Sequence, residues 1–583
     1  MAHDNLIEVS FEVANKVGGI YQVLKSKSSK MSDFYGDHYL TIGPYNEEAA
    51  RKDFAPRQDH PYEDLFEALR KKGIECYYGV WEVSGSPKCI LVDASGMQRD
   101  VDDIKTEMWE KYDIDSMNTG SEFDDPVRWS YAVGLLINRL EEKLENDTVV
   151  HLHEWLSGPA MFNFDSPKVF TTHATVLGRT LSDSDFNLRE AVKNGNVNDK
   201  MAEEHGVKAK HQLEKTAAET ADVFTTVSKT TGEEAEAVLD VKPDKILPNG
   251  FNVEEYPSLE ELSYNHRKEK QEFKSFLQAY FKPYYDVDLD DDPRVLYISG
   301  RYEFHNKGID LMIDALSQVN DMEGDDFFVF IFVPSDVKGE KLEVLENVSL
   351  YEELEDYIDS AMPELRENLL NSITSGKEPS AGLEDVIKGT RKLESLQANF
   401  HTKKEKTPPL SAFDLNYDND EIMEALWDKG LRNRKEDRVK IVFYPTYLSV
   451  GDKLLSMDYN DAVVASSAGI FPSYYEPWGY TPVETAANGA MSVTTDLAGF
   501  GQFLKENTND YERKGIKVLE RRNRPDSEAA KDLAKMIDDI VSYSKTEITE
   551  RKHNARKLAQ MTSWEKLGEN YREAHEKALE RSK

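Results

Sequence analysis

Runs of apolar, β-branched residues recur in the first half of the chain without the alternation of a one-sided strand. They are HYLTIG (38–43), KCILVD (88–93), TVVHLHEW (148–155), KVFTTHAT (168–175) and DVFTTVS (222–228). A second series follows with RVLYISGR (294–301), FFVFIFVP (327–334), VKIVFYP (439–445) and MSVTTD (491–496). Strands apolar on both faces suit a parallel sheet covered by helices on each side. Helical patterns lie between the runs: PVRWSYAVGLLINRLEEKLE (126–145), TGEEAEAVLD (231–240) and GIDLMIDALSQV (308–319). This alternation predicts βαβ units in an α/β protein. Its two clusters predict two doubly wound, Rossmann-like domains facing a cleft, residues 1–252 and 253–545. In such sheets ligands sit beyond the carboxyl ends of the strands.

From 335 to 436 the text turns polar and acidic. In SLYEELEDYIDSAMPELRENLLNSI (349–373), Leu350, Leu354, Tyr357, Ile358, Met362, Leu365 and Leu369 fall at helical spacing. A helical insertion in the second domain is expected, its apolar stripe packed on its own domain or turned to another subunit. Residues 546–583 read as a last helical stretch that returns to the first domain.

The chain has 583 residues and a formal net charge of −37. So acidic a surface repels nucleic acid and anionic lipid, which argues against both as partners. It suits a soluble acidic protein or adaptation to a salt-rich cytoplasm, where screening relieves self-repulsion. Two cysteines, Cys76 and Cys89, leave no disulfide framework. With neither a signal-peptide pattern nor an apolar run of membrane-spanning length, a cytoplasmic location is expected.

Four stretches carry candidate chemistry. VANKVGGIYQVL (13–24) sets Gly18 and Gly19 at the start of an amphipathic helix, where backbone N–H groups can meet an anion. A tight turn explains the same pair. HLHEWLSGP and TTHATVLGR put His153, Glu154 and His173 at strand ends. Alternating His151 and His153 point one way, as metal ligands can, but no cysteine or HExxH pattern joins them. Imidazole and carboxylate suit sugar hydroxyls, which need donors and acceptors; core or loop histidines are the plain alternative. In GRYEFHNKGID (300–310), Arg301 and Lys307 flank a strand-to-helix turn and could converge with the helix start on a diphosphate, unless they are a surface pair. The acidic DVDLDDDP (286–293) precedes a strand and reads as a solvated loop rather than a metal site. FPSYYEPWGY (471–480) places Glu476 ahead of an aromatic turn and Glu484 in the helix after it. One carboxylate can serve a transferred sugar, the other a ribose, and Tyr480 can stack on a base. Two ordinary surface carboxylates are the alternative.

Together these stretches resemble the eukaryotic-type glycogen synthases, retaining glucosyltransferases of the two-domain GT-B fold. EVANKVGGIYQVL, HLHEWLSGPA, FTTHATVLGR, TTVSKTTGEEAE, LPNGFNV, SGRYEFHNKGIDLMIDAL, FPSYYEPWGYTPVET and SVTTDLAGFG follow the family's order over nearly the whole chain. The resemblance implies glucose transfer from UDP-glucose to the non-reducing end of an α-1,4-glucan such as glycogen, with retention. A transferase using ADP-glucose or a small acceptor is the alternative. Arg301 and Lys307 would hold the diphosphate, assisted by Arg179 and by backbone at Gly18 and Gly19, with Lys16 among the substrate-binding residues. His173, Glu154 and Asn249 would line the glucose and acceptor side. Glu476 and Gly479 would contact the transferred glucose, Tyr480 the uracil, Thr481 a phosphate and Glu484 the ribose. Neither metal nor other cofactor is implied, and the long insertion implies a homotetramer. The family's arginine-rich helix, which binds glucose-6-phosphate, aligns with TERKHNARKLAQMTSW (549–564). There only Arg551, Lys552, Arg556 and Lys557 remain as cations, so activity independent of that effector is expected.

Overall fold

Every apolar run named above carries a strand that is buried through its middle. The computed structural model describes residues 4–583 except 98, 185, 288, 290–291, 377–390, 401–402, 404–405 and 418. Among the described residues, nine strands form one sheet. Their order is Phe54–Pro56, Glu75–Trp81, Lys88–Asp93, Tyr39–Pro44, Asn5–Val9, Thr148–His153, Lys168–Thr172, Val223–Thr226 and Lys245–Ile246. The seven from Lys88–Asp93 onward are parallel, and at that edge Glu75–Trp81 runs antiparallel between Lys88–Asp93 and Phe54–Pro56. A second sheet of six parallel strands has the order Val439–Phe443, Phe327–Phe332, Val295–Ser299, Ala468–Ile470, Met491–Thr495 and Ile516–Leu519. All six residues of Phe327–Phe332 are buried. Truncating one of its phenylalanines to alanine would cost about 3–5 kcal/mol in lost transfer energy and cavity.

The central strand of the first sheet, Asn5–Val9, was not anticipated, because Asn5 and Glu8 interrupt its apolar pattern. Both are buried. The helix expected over 126–145 runs from Ser121 to Glu141, starting a turn and a half ahead of Pro126. The stretch 546–583 is two helices rather than one. Lys545–Ala559 packs on the second domain through Ile548, Ala555 and Leu558. After a break at Gln560–Thr562, Trp564–Arg581 crosses to the first, burying Trp564, Tyr571, Ala574 and Ala578 against Leu6, Val149 and Val223.

The acidic excursion leaves the second sheet after Phe327–Phe332 and rejoins it at Val439–Phe443, the neighbouring strand. It starts with Val337–Glu340, paired antiparallel to Phe413–Leu415, and continues as one helix from Leu342 to Thr374. Val344 and Val348 anchor that helix in the second core, while Ile358, Met362, Leu370 and Ile373 stay exposed. Part of the excursion, 377–390, lies outside the described residues, as do positions 288, 290 and 291 of the acidic loop.

Candidate active site

Loops leaving the carboxyl ends of the strands in both sheets meet in the cleft. In the second domain the strand Val295–Ser299 runs through Arg301 and Lys307 into the helix Ile309–Asn320. Gly308, at the turn, has φ 70°, and a Cβ there would lie 2.1 Å from the Pro472 carbonyl oxygen. Glycine therefore lets this loop touch the one after Ala468–Ile470. The contact brings Lys307 Nζ to 2.5 Å from Glu476 Oε2, with the side chains only 17% and 22% exposed. Gly479, at φ 99°, turns the chain into the helix Tyr480–Ala487. Thr481 and Pro482 then join Lys307 and Glu476 around a small crevice. Arg301 is not at this pair. It is 70% exposed and bonds Glu303 at 2.8 Å.

Further along that helix, burial pushes the Glu484 carboxyl up to about 7, against the pull of Lys16 from the opposite domain. Tyr480 is half-buried, its hydroxyl donating to the Gly250 carbonyl at 3.2 Å. Asn249, next to Gly250, is buried with its Oδ1 unpartnered. A sealed amide oxygen without a donor is costly.

On the first domain, Gly18 and Gly19 do open the helix Gly19–Tyr35, but the anion there is internal. Glu12 Oε2 accepts from Gly18 N at 2.7 Å and Tyr21 N at 2.8 Å. Burial raises the Glu12 pKa, and those two bonds and Arg179 pull it back. Sequence reading missed Glu12, although an acid six positions before Gly18 was visible.

Glu154 has φ 66°, a left-handed conformation rare outside glycine and stored where surrounding structure enforces it. The strain aims Oε1 at the amides of His173 (2.8 Å) and Ala174 (3.3 Å). Burial pushes its carboxyl up to about 7, with Arg179 opposing. Two further buried acids lie behind it. Glu214, held well above the carboxylate range by burial and by Glu154, accepts from Val176 N at 2.8 Å. Glu234, raised by burial against Arg189, accepts from Thr175 Oγ1 at 2.7 Å and from the Tyr475 hydroxyl at 2.9 Å.

Tyr475 belongs to the second domain yet lies in the hydrophobic core of the first. It crosses the cleft one residue before Glu476. Asn306 bonds Asp183 and Ser182, Arg522 bonds Glu233 at 2.8 Å, and Thr230 bonds Gln502 at 2.6 Å, so the two domains are clasped. Beside Tyr475 a cavity of about 900 Å³ opens to solvent, lined by Asp183, Phe186, Tyr302, His305, Tyr474 and Asp526 among others.

His151 and His153 do point the same way, and Glu8 joins them with ligand atoms within 4.8 Å of one another. Their donors are already used. Glu8 accepts from the Lys27 ammonium and from Tyr39, and His151 bonds His575 and Thr171. Lys27 neutralises the Glu8 carboxylate that a metal would need. In the helix Lys545–Ala559, Lys552 donates to the Ser466 carbonyl at 2.7 Å and Arg556 to that of Ala487 at 2.5 Å, both buried. Arg551 donates to the Glu512 carbonyl at 3.1 Å.

A family model described as glycogen synthase matches residues 8–583. A glycogen [starch] synthase of Caenorhabditis elegans is 33% identical over 601 residues, covering 99% of this chain and 88% of that one. The liver glycogen [starch] synthase of Homo sapiens is 32% identical over 593 residues, covering 99% and 84%. Among solved structures, the catalytic domain of starch synthase IV from Arabidopsis thaliana, bound to ADP and acarbose, superposes with a TM-score of 0.51 at 12% identity over 99% of each chain. At that identity the likeness concerns the fold alone.

Proposed function

The chain belongs to the glycogen synthase family, glycosyltransferases of the GT-B fold, and on that footing we propose that its cleft moves glucose from UDP-glucose onto the non-reducing end of an α-1,4-glucan with retention of configuration. The observation that carries this reading is the Lys307–Glu476 pair at the strand ends, clasped against the first domain by Tyr475. A partly buried ammonium bound to a carboxylate is a phosphate site held by its own counter-ion until the ligand arrives.

Lys307 and Arg301 hold the donor's diphosphate, exchanging Glu476 and Glu303 for phosphate oxygens. Glu476, once released, accepts from hydroxyls of the glucose. Glu484 takes the ribose, Tyr480 the base and Thr481 a phosphate oxygen. Glu154, His173 and Asn249 line the glucose, and Arg179 with the amides near Gly18 and Gly19 completes the phosphate side. The bond from C1 to the phosphate oxygen breaks and its electron pair leaves with UDP. The acceptor's 4-hydroxyl bonds to C1 on the same face, and its proton passes to the departing phosphate oxygen. Fixed cations stabilise the charge on the leaving group, the largest kind of electrostatic contribution in such sites. Rings and carboxylates around the 900 Å³ cavity suit the faces and hydroxyls of the acceptor glucan.

No metal is needed in this mechanism. Full activity in excess chelator is expected, and loss restored by Mn²⁺ or Mg²⁺ would refute the point. The exposed stripe of Ile358, Met362, Leu370 and Ile373 supports a homotetramer built through the excursion, to be checked by light scattering. No described helix is long and apolar enough to cross a membrane, and we place the enzyme with its glucan in the cytoplasm. Transfer of labelled glucose to glycogen from UDP-glucose and ADP-glucose in parallel tests the reading. No transfer from either would overturn it, and transfer from ADP-glucose alone would overturn the donor.

A further inference from the structure

Glu8 lies in the middle of the central strand, fully buried. Burial alone would raise its pKa, but the Lys27 ammonium and the His153 bond outweigh that and keep it ionised. An ionised carboxylate only accepts hydrogen bonds. His153 Nε2, 2.8 Å from Glu8 Oε1, must therefore carry a proton.

A second proton on His153 would place an imidazolium beside Lys27 with one carboxylate between them in a dry core. Burial opposes it, and Lys27 adds to that opposition. Neutral, protonated on Nε2, His153 offers Nδ1 as a lone pair. That atom is 3.0 Å from His173 Nε2, so His173 donates there. His173 is itself kept neutral by burial, with His153, Lys27 and Arg179 acting in the same sense. A neutral imidazole protonated on Nε2 carries no proton on Nδ1. Nδ1 of His173 makes no hydrogen bond among the described residues and is not one of the sealed polar atoms. His173, 7% exposed, follows the carboxyl end of the strand Lys168–Thr172, where the strand-end loops gather, and its backbone amide is bonded to Glu154.

We propose that Glu8, acting through His153, fixes the tautomer of His173, so that Nδ1 stands in the cleft as an obligate acceptor and selects a hydroxyl donor on the bound sugar. Glu8 and His153 are positioning residues; His173 is the group that touches substrate. The tautomer follows from the hydrogen-bond chain together with the neutrality of the two buried rings. Only the owner of the hydroxyl rests on the nucleotide-sugar reading above.

Two measurements separate those parts. Solid-state NMR of the full-length protein labelled with ¹³C,¹⁵N-histidine, His173 being assigned by its disappearance in His173→Gln, should give a pyrrole-type Nε2 and a pyridine-type Nδ1 from pH 6 to 8. A proton on Nδ1, alone or with Nε2, would overturn the proposal whatever the enzyme's substrate. Glu8→Gln, whose amide can also donate, should show a mixture of the two tautomers, and an unchanged single tautomer there would remove Glu8 from the relay. Should that variant not fold, the wild-type spectrum still decides the tautomer.

The second measurement uses UDP-glucose analogues in which each glucose hydroxyl in turn is replaced by hydrogen or by fluorine. At one position both replacements should lower kcat/KM by roughly 10- to 100-fold, because fluorine cannot donate. The same analogues should be discriminated least by His173→Ala. A fluorine analogue that works as well as the parent at every position would overturn the selection. Failure of UDP-glucose itself would sink the nucleotide-sugar reading and leave the tautomer standing.

Discussion

The two walls of the cleft handle charge in opposite ways. On the first domain the carboxylates are buried and already satisfied, Glu8 with Lys27, Tyr39 and His153, and Glu154 with two backbone amides, while Asn249 Oδ1 and His173 Nδ1 are held in place without a partner among the described residues. On the second they are half-exposed and joined in exchangeable pairs, Lys307 with Glu476 and Arg301 with Glu303. A neutral sugar is recognised by donors and acceptors whose positions must be set before it arrives, because each bond contributes only about 1 kcal/mol net. A diphosphate can displace an internal counter-ion because charge-assisted bonds are about twice as strong. The first wall is thus rigid by construction and the second is poised for exchange. Glu12, bonded to the Gly18 and Tyr21 amides, is an exchangeable anion on the rigid side.

The contrast breaks most visibly at the cations. Lys307→Ala and Arg301→Ala should each lower kcat by about 10²–10³, the usual loss when one stabilising group is removed. Near-normal turnover in either, by steady-state assay, would remove that residue from the phosphate site. On the rigid wall the expected signature is pH-dependent stability. Glu154 keeps its proton in the folded chain up to about pH 7, and an unfolded glutamate only to about 4.3. A raised folded-state pKa gives stability present below the unfolded value and lost as pH rises towards 7. Glu154→Gln should escape the loss, gaining roughly 2–3 kcal/mol on the wild type between pH 5 and pH 8, read from urea midpoints, while turning over more slowly. Parallel curves for the two proteins would show that Glu154 is not protonated.

A smaller effect is expected where the walls meet. Tyr475→Phe loses the bond to Glu234 and keeps the ring, so kcat/KM should fall about 5- to 10-fold with the Tm nearly unchanged. The smallest effect concerns the helix Lys545–Ala559. Lys552, Arg556 and Arg551 are committed to the carbonyls of Ser466, Ala487 and Glu512. Titrating glucose-6-phosphate at subsaturating donor should leave the rate flat. A several-fold rise abolished by Arg551→Ala would show that these bonds exchange as readily as those of Lys307.

Strands buried on both faces leave continuous apolar runs, so nine of the fifteen strands described in the two sheets were legible in the chain, while short edge strands such as Phe54–Pro56 and Lys245–Ile246 were not. Asn5–Val9 escaped because Glu8 breaks its pattern, and Glu8 is the residue on which the histidine chain depends. A charge inside an apolar pentapeptide was the available clue. The loops carrying Lys307, Glu476 and Glu154 could be placed because they follow strand ends. Glu214 and Glu234 could not, since an acid in a helical stretch normally faces water and only tertiary packing buries these two. FPSYYEPWGY advertised an aromatic turn, but which of its tyrosines enters the opposite domain depends on how the domains are clasped.

The helix Trp564–Arg581 has a consequence for the order of assembly. It covers the face of the first sheet that holds Lys27 and His151, with His575 bonding His151 and Tyr571 beneath the Lys27 ammonium. On the ribosome that face is complete by residue 250 except for this cover, which is made more than 300 residues later. At about 5–20 residues per second the delay is roughly 15–65 s. Throughout that interval the second domain can close its own core while the first stands open to water at its polar centre. The domain made first is therefore the last to be finished, and a chaperone holding the nascent chain would be expected to release the first domain after the second.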